Sequence, residues 1–311
     1  MAVIRNMMVF LAGIFTVVSL LGVNVAEPAN RQIAVLISQK ASHYEEALSG
    51  FKQYFQRQGI QVDFALYSLE EDKVPSEMQS IKKSKPNLIF ALGSLATEIA
   101  VSEISDAPII AGILLRMDSL KKASNVTGVV LEFPIETQFK WLQHILPNSR
   151  NIGTIYHPRE NQERIASASK IASKMGLEFE AQGIINPQGL PEALNKLSKN
   201  SDVFWGIPDS LVLNSQTVKH ILLFSFQNRI PFIGLSPSWV KAGALYSLDW
   251  DYVDMGMQCG EVAWKVLQGT PTHSIPTATP RKVYYVLNLT TANHMKVKLS
   301  DELILGAHQT F

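Results

Sequence analysis

Short apolar strands alternate with helix-forming segments along most of this chain, and this alternation limits its possible folds more than any other feature. The strand candidates form two series, with starts mostly about 25 to 28 residues apart. They begin near Ile33, Gln61, Leu88 and Pro108, and then at Asn151, Leu177, Asp202, Ile230 and Ala244. Apolar strands separated by helices are typical of parallel sheets covered on both faces. The sequence therefore predicts an α/β protein with two doubly wound parallel-sheet lobes, each with its ligand edge at the carboxyl ends of the strands.

The two series define the expected lobes. Residues 30–130 form the first lobe and residues 134–247 the second. Between them, the segment NVTGVVLEFPIETQ (125–138) is predicted to be a crossing strand that ends at Pro134.

The last 60 or so residues do not continue this spacing. Asp251 is expected to cap a helix with one apolar stripe, and Gly269 lies where that helix ends. We expect residues 250–282 to return to the first lobe and residues 288–311 to join the second. Several strands would then connect the lobes and make a hinge beside a cleft.

Composition excludes several classes of partner and cofactor. The 311 residues contain 28 Lys and Arg against 27 Asp and Glu, so there is no basic surface for nucleic acid or an anionic membrane. The single cysteine, Cys259, cannot form an internal disulfide and is expected in the core of its helix. The seven histidines lack metal-ligand spacing. We therefore expect no metal and no cofactor.

The N-terminus has the pattern of a Sec-type signal peptide, residues 1–26. Arg5 precedes an apolar run that is short for a bilayer span, and small residues lead to a cleavage site after Ala26. A retained N-terminal anchor is the alternative. No cysteine follows the apolar run, so the protein is not expected to be a lipoprotein. An exported chain without disulfides is typical of the bacterial periplasm, where we expect a monomer.

The segment NLIFALGSLATEIA (87–100) is the strongest candidate for a ligand site. An apolar strand ends here in Gly93, Ser94 and Thr97, where a helix begins. Free N–H groups and the positive end of the helix dipole favour a carboxylate at such a position. Helix capping by Ser94 and Thr97 is the alternative use of the same hydroxyls.

Four further residues follow strands and are expected to face the cleft. Ser38 comes after the first strand, and Asn161 follows the fifth. Asp209 is a candidate partner for a ligand ammonium, and Ser236 follows the eighth strand candidate. For Asn161, Asp209 and Ser236, N-capping of the next helix is the alternative.

The order of several segments resembles that of the ABC-transporter substrate-binding family that contains the tryptophan- and aromatic-amino-acid-binding lipoproteins. The segments are LGSLATEIA (92–100), NVTGVVLEFPIETQFKWLQHILPNSRNIGTIYHP (125–158), GIPDSLV (206–212), GALYSLDWDYVDMGMQCGEVAWKVLQGTP (243–271) and VYYVLNLTTANHMKVKLSDELILGA (283–307). The resemblance implies a type I periplasmic-binding fold that closes on a small ligand, often an amino acid. It places the ligand head group near Gly93, Ser94 and Thr97.

Two features depart from that family. Many of its members are lipoproteins, whereas this chain lacks the lipid-bearing cysteine. Its first-strand loop often carries a His-Pro pair, and this chain has SQKASHYEE (38–46) instead.

These observations predict a periplasmic solute-binding protein of an ABC uptake system, with an amino acid or related small molecule as its ligand and an inner-membrane permease as its partner. One alternative is a ligand-sensing module for a membrane sensor kinase or cyclase. Another is an exported enzyme, although no Gly-x-Ser-x-Gly nucleophile motif occurs.

Overall fold

The computed structural model of the chain describes residues 31–69, 73–114 and 123–311. The expected signal peptide, residues 1–26, lies outside these ranges. Within them, none of the helices has the length and apolar character needed to cross a membrane.

The first lobe is built on a parallel sheet of five strands in the order β2-β1-β3-β4-β5. The strand order reverses between β1 and β3, as in other doubly wound sheets. Its strands are β1 (Arg31–Ile37), β2 (Val62–Ser68), β3 (Leu88–Leu92), β4 (Ile109–Leu114) and β5 (Val126–Val130), and its helices are α1 (Ser42–Arg57), α2 (Val74–Ser84) and α3 (Ser94–Glu103).

The second lobe is built on a seven-stranded sheet in the order β12-β11-β10-β9-β8-β6-β7. The pair β10–β11 is antiparallel, and the other described pairs are parallel. The strands are β6 (Asn151–Tyr156), β7 (Glu178–Gly183), β8 (Val203–Trp205), β9 (Phe232–Ile233), β10 (Tyr246–Trp250), β11 (Val283–Leu287) and β12 (Gln309–Thr310). The helices after β5 are α4 (Ile135–Ile145), α5 (Pro158–Lys174), α6 (Leu190–Asn200), α7 (Val218–Asn228), α8 (Pro237–Ala242), α9 (Tyr252–Leu267), α10 (Leu289–Met295) and α11 (Asp301–Gly306).

The predicted fold class is confirmed. Two α/β lobes are present, and buried apolar clusters lie on both faces of each sheet. One local prediction is wrong in part: the strand within residues 125–138 ends at Val130 rather than at Pro134, and residues 131–134 cross between the lobes without strand structure. Strand β5 is the edge strand of the first sheet, and α4 begins directly after Pro134.

Within the described ranges, the chain passes between the lobes three times. The first connection is residues 131–134, between β5 and α4. The second follows β10, because α9 leaves the second sheet and packs against α1 of the first lobe. Residues 272–278 then run beside β5, where Val130 donates its N–H to the carbonyl of Ala278, and the third connection leads to β11.

Helix α9 packs very closely against the first lobe. Its N-cap Asp251 accepts the N–H of Asp254, as the sequence predicts. A Cβ atom on Gly256 would lie 1.9 Å from the carbonyl oxygen of Ala47 in α1. Cys259 is fully buried here, and burial raises the pKa of its thiol to about 12. Its predicted place in the core is confirmed.

Candidate functional site

At the first lobe, the carboxyl ends of β1 and β3 bring Ser38 and Gly93 together. The backbone of Gly93 has φ +96°, and a Cβ atom there would lie 2.5 Å from the Ser38 hydroxyl oxygen and 2.7 Å from the Tyr44 hydroxyl oxygen. Only glycine suits this position. Ser38 Oγ accepts the N–H of Ala96 at 2.9 Å, so it caps α3 from outside the helix.

Ser94 and Thr97 have different surroundings at the start of α3. Ser94 is half-buried. The N-cap residue of α3 is Gly93, which makes no side-chain hydrogen bond to the helix. Thr97 is fully buried, and its hydroxyl donates to the carbonyl of Gly93 at 2.9 Å. Ser94 is therefore the more accessible of the two hydroxyls. Ligand contact by either residue stays a prediction.

At the second lobe, Asn161 and Asp209 are buried and bonded to each other. Asn161 Nδ2 donates to Asp209 Oδ2 at 2.9 Å, and the His157 N–H donates to the same oxygen at 2.7 Å. Asp209 Oδ1 accepts the N–H groups of Leu211 and Val212. These four donors occupy the lone pairs of the carboxylate. The pair holds the loop after β8 against α5, and its contact with a ligand ammonium stays a prediction.

Ser236 is half-buried at the N-cap position of α8, where its side chain makes no cap bond. Its neighbours Gly234 and Leu235 line a cavity, and so does Pro208, the residue before Asp209. None of the seven predicted residues lines this cavity itself. The predicted residues of the second lobe thus lie near this cavity, and their contact with a ligand stays a prediction.

This cavity of about 400 Å³ opens at the carboxyl edge of the second sheet. Its wall comes from the first connection, from α4 and α5, and from the ends of β8, β9 and β10. The lining residues are Leu131, Glu132, Phe133, Gln138, Arg164, Trp205, Gly206, Pro208, Ile233, Gly234, Leu235, Tyr246, Leu248 and Trp250. A mainly apolar cavity with a few polar groups is the usual form of a small-molecule site.

Aromatic rings form much of the wall. Phe133 and Trp250 are stacked, with centroids 5.0 Å apart and planes 6° from parallel. Trp205 is held in place from behind, since its Nε1 donates to Gln138 Oε1 at 2.9 Å and Gln138 Nε2 donates to the Phe133 carbonyl. A fixed set of rings offers flat apolar surfaces against which a planar ligand can pack.

Two buried polar groups in this wall have no hydrogen-bond partner among the described residues. They are the hydroxyl of Tyr246 and the Nε1 of Trp250. Burial raises the pKa of Tyr246 far above its usual range, so its phenol is neutral at physiological pH. Unpaired buried donors are energetically costly. Both side chains belong to β10, whose alternate residues Tyr246, Leu248 and Trp250 face the cavity.

The charged side chains of the lining are Glu132 and Arg164. Arg164 Nη2 lies 2.8 Å from Glu132 Oε1, and the two side chains are 25% and 39% exposed respectively. Arg164 comes from α5, and Glu132 from the first connection between the lobes. The cavity is therefore apolar and aromatic, with one ion pair.

A series of rings links the cavity to the edge of the first lobe. Trp250 lies 6.3 Å from Tyr252, which lies 5.5 Å from His43, and the His43 ring is 4.3 Å from Tyr44. Burial raises the pKa of both Tyr44 and Tyr252, so these phenols stay neutral. A row of rings thus runs from Trp250 to Tyr44, which hydrogen-bonds to Ser38.

Comparison with known families identifies the chain. The sequence model of a family described as ABC transporter substrate binding protein matches residues 32–311. The chain belongs to this family. By its description, the family consists of substrate-binding proteins.

Individual relatives agree with this assignment. A tyrosine-binding protein from Clostridioides difficile (strain R20291) is 26% identical over 296 residues, which cover 89% of this chain and 85% of the relative. Two solved structures, each 19% identical, share the fold. One is the ligand-free, open structure of a substrate-binding protein with adhesive properties from Clostridium difficile, with a TM-score of 0.72 and coverage of 90% and 98%. The other is an ABC domain in complex with L-Trp from Streptococcus pneumonia, with a TM-score of 0.58 and coverage of 91% and 100%.

Sequence reasoning missed the rings that give this substrate-binding protein its cavity. Trp205 ends a strand with the sequence VFW, and Trp250 ends β10 within LDWD. An aromatic residue at the carboxyl end of a strand was the available signal, because that end faces the ligand edge in both lobes. Phe133 carried no such signal, since it lies in a connection whose path only the fold reveals.

Proposed function

We propose that this substrate-binding protein binds an aromatic amino acid in the cavity of its second lobe and closes its first lobe over the ligand. The observation that carries this proposal is the aromatic wall around a single ion pair. Stacked Phe133 and Trp250 and the fixed Trp205 provide surfaces for a ring. Glu132 and Arg164 provide both signs of charge for a zwitterion.

The size and chemistry of the cavity favour this ligand class over others. A volume of about 400 Å³ suits one small molecule. A sugar or nucleoside displays many hydroxyls, which need several polar partners inside a site. This lining offers few such groups and many apolar ones. The printed names of two similar proteins, a tyrosine-binding protein and an L-Trp complex, support the same class.

Closure is proposed because the two ligand edges contribute different residues. Residues 30–130 with 250–282 would move as one body, and residues 134–247 with 288–311 as the other. The first lobe would bring Ser38, Gly93, Ser94 and Thr97 toward the ligand. Asn161, Asp209 and Ser236 would support the second edge.

Modest energies suffice for this movement. A 100-fold excess of the closed form needs about 2.7 kcal/mol of bias, which two charge-assisted hydrogen bonds of ~1.5–3 kcal/mol each would provide. Contacts that both lobes make exist only in the closed form, so the ligand shifts the population toward it.

The family and the N-terminal sequence support a proposal for the cellular setting. We propose that residues 1–26 direct export to the periplasm, where the protein acts as a monomer. The partner would be the permease of an ABC uptake system, which would recognise the closed shape and receive the ligand unaltered.

Isothermal titration calorimetry of the purified protein tests the ligand class. We expect one site for L-tyrosine, L-phenylalanine or L-tryptophan, and much weaker binding of L-leucine, L-glutamate and D-ribose. Mass spectrometry should recover the ligand unchanged after binding. Selective binding of ribose, or conversion of the amino acid to a product, would contradict the proposal.

A further inference from the structure

The ion pair in the cavity consists of Glu132 and Arg164. It joins the first connection to α5, but it does not belong to a larger charge network among the described residues. We propose that Glu132 and Arg164 form the head-group site, in which Arg164 binds the carboxylate of an α-amino acid and Glu132 binds its ammonium. This inference rests on the proposed function and specifies which end of the ligand each side chain holds.

Both side chains retain bonding capacity. The Arg164 guanidinium has five N–H donors, and its hydrogen bond among the described residues is the one from Nη2 to Glu132 Oε1. Oε1 of Glu132 accepts that bond, and Oε2 accepts none from the described residues, so it can take a second donor. A carboxylate and an ammonium can therefore bind beside the existing pair without displacing another contact.

The pair is also weak enough to adjust. Its two side chains are 25% and 39% exposed, so water still screens the attraction between them. When a ligand fills the cavity, water leaves, and the same charges interact more strongly with the ligand. Rotation of either side chain toward the ligand therefore loses little in the free protein.

The positions of the charges match those of an α-amino acid. The carboxylate and ammonium of such a ligand are attached to the same carbon, so they lie about as close together as the two charges of the protein pair. An arrangement with each ligand charge opposite its counterpart satisfies all four groups. A ligand with only one charge makes only one of these two contacts, so it should bind more weakly than the zwitterion.

Binding of the head group at Glu132 and Arg164 also determines where the side chain of the ligand lies. Phe133 is the residue after Glu132, and its ring stacks on Trp250 in the same cavity. An amino acid held at Glu132 and Arg164 can place its ring against this wall. This arrangement assigns the main head-group contacts to the second lobe, whereas the resemblance places the head group near Gly93, Ser94 and Thr97.

Ligands that lack one charge test the assignment. L-Tyrosine is compared with tyramine, which has no carboxylate, and with 3-(4-hydroxyphenyl)propionate, which has no ammonium. Their affinities are measured for the wild type, Arg164→Gln and Glu132→Gln by calorimetry. Lys82→Gln serves as a matched control, because Lys82 forms a comparable exposed pair with Glu103 on the first lobe. Thermal unfolding establishes that each variant is folded.

We expect a crossed pattern. Arg164→Gln should weaken L-tyrosine about tenfold or more, as loss of a charge-assisted bond implies, and leave tyramine within about twofold. Glu132→Gln should weaken L-tyrosine similarly and leave the propionate within about twofold. The control should bind all three ligands like the wild type.

Two other results would overturn the assignment. If the wild type binds L-tyrosine and the two variants weaken all three ligands equally, or none, the head group lies elsewhere while the proposed function stands. If the wild type binds none of the aromatic amino acids, both the proposed function and this assignment fail.

Discussion

At the residue scale, the site depends on ring surfaces that the backbone holds in place. Trp250 lies at the end of β10, stacks on Phe133 and begins the series of rings that leads toward the first lobe. Aromatic pairs contribute about 0.5–1.5 kcal/mol beyond the apolar area that they bury. A planar ligand against this stack would gain an energy of the same kind.

Replacing Trp250 by leucine should therefore weaken binding of L-tyrosine. We expect a loss of about tenfold or more, because both the stacking energy and the buried area decrease. Calorimetry measures the change. Trp264→Leu is the matched control, since Trp264 is half-buried on α9 beneath Arg31 and does not line the cavity. If the two variants bind L-tyrosine with equal affinity, Trp250 does not contact the ligand.

The contacts of single residues were the part of this structure that the sequence predicted least well. Their positions after strands identified Ser38, Gly93 and Asp209 as edge residues, which they are. Their partners depend on neighbours distant in sequence: Ser38 caps a helix 58 positions away, and Asn161 lies against Asp209, 48 positions away. No local pattern specifies such pairs.

At the element scale, α9 determines how the chain returns to the first lobe. Its small residue Gly256 lies directly against the backbone of α1 at Ala47. Two helices approach this closely only where one of them has no Cβ atom. The contact therefore depends on a particular glycine and not merely on the apolar stripe.

Gly256→Ala should destabilise the protein by about 1–3 kcal/mol, because the added methyl group forces α1 and α9 apart. Higher helix propensity of alanine offsets part of this loss. Urea unfolding measures the difference. Gly183→Ala is the control, since the nearest atoms to its Cβ would be side-chain carbons of Pro158 and Tyr156, at 3.3 Å and 3.5 Å, rather than a backbone oxygen. A Gly256→Ala protein as stable as the parent would contradict the close contact.

A charge cluster connects the second and third passages between the lobes. Asp251 Oδ2 accepts the Tyr284 hydroxyl at 2.8 Å and lies 3.4 Å from Lys282 Nζ. Arg281 binds both oxygens of Asp254. Burial by itself raises the pKa of Asp251, but the N–H of Asp254 and the contacts with Tyr284 and Lys282 hold that pKa below its ordinary value.

This lowered pKa predicts the pH dependence of stability. The stabilisation by ionised Asp251 is complete above the unfolded-state pKa of about 3.9 and disappears as pH falls through the lower folded-state pKa. Asp251→Asn keeps the helix cap and removes the charge. Thermal unfolding should show the wild type more stable by roughly 1 kcal/mol at pH 7, with the difference shrinking below about pH 4. A difference that is constant down to pH 2 would contradict the role of the charge.

The elements were more predictable than the residues, because strand composition and helix periodicity are local. The predicted strands of both lobes are present. The exceptions are places where tertiary contacts decide. Ile113 adopts φ +57° at an irregularity in β4, and the apolar segment PIIAGILL gave no sign of it. Residues 125–138 divided between an edge strand and a helix, since pairing with β4 determines where the strand belongs.

At the scale of the whole molecule, the two doubly wound sheets and three connections create a ligand edge on each lobe. The topology was predictable from the alternation of strands and helices, and the family from the order of its segments. The cavity was not, because residues from the first connection, α4, α5 and three strands meet only in the folded second lobe.

The central claim is that the lobes close on an aromatic amino acid. Electron–electron double resonance between spin labels at Lys40→Cys and Arg159→Cys measures it, since both residues are exposed and follow β1 and β6, one at the ligand edge of each lobe. The native Cys259 is fully buried and should not react. The account predicts a shorter inter-label distance with saturating L-tyrosine than without ligand. The same distance distribution in both samples, with L-tyrosine bound, would contradict it.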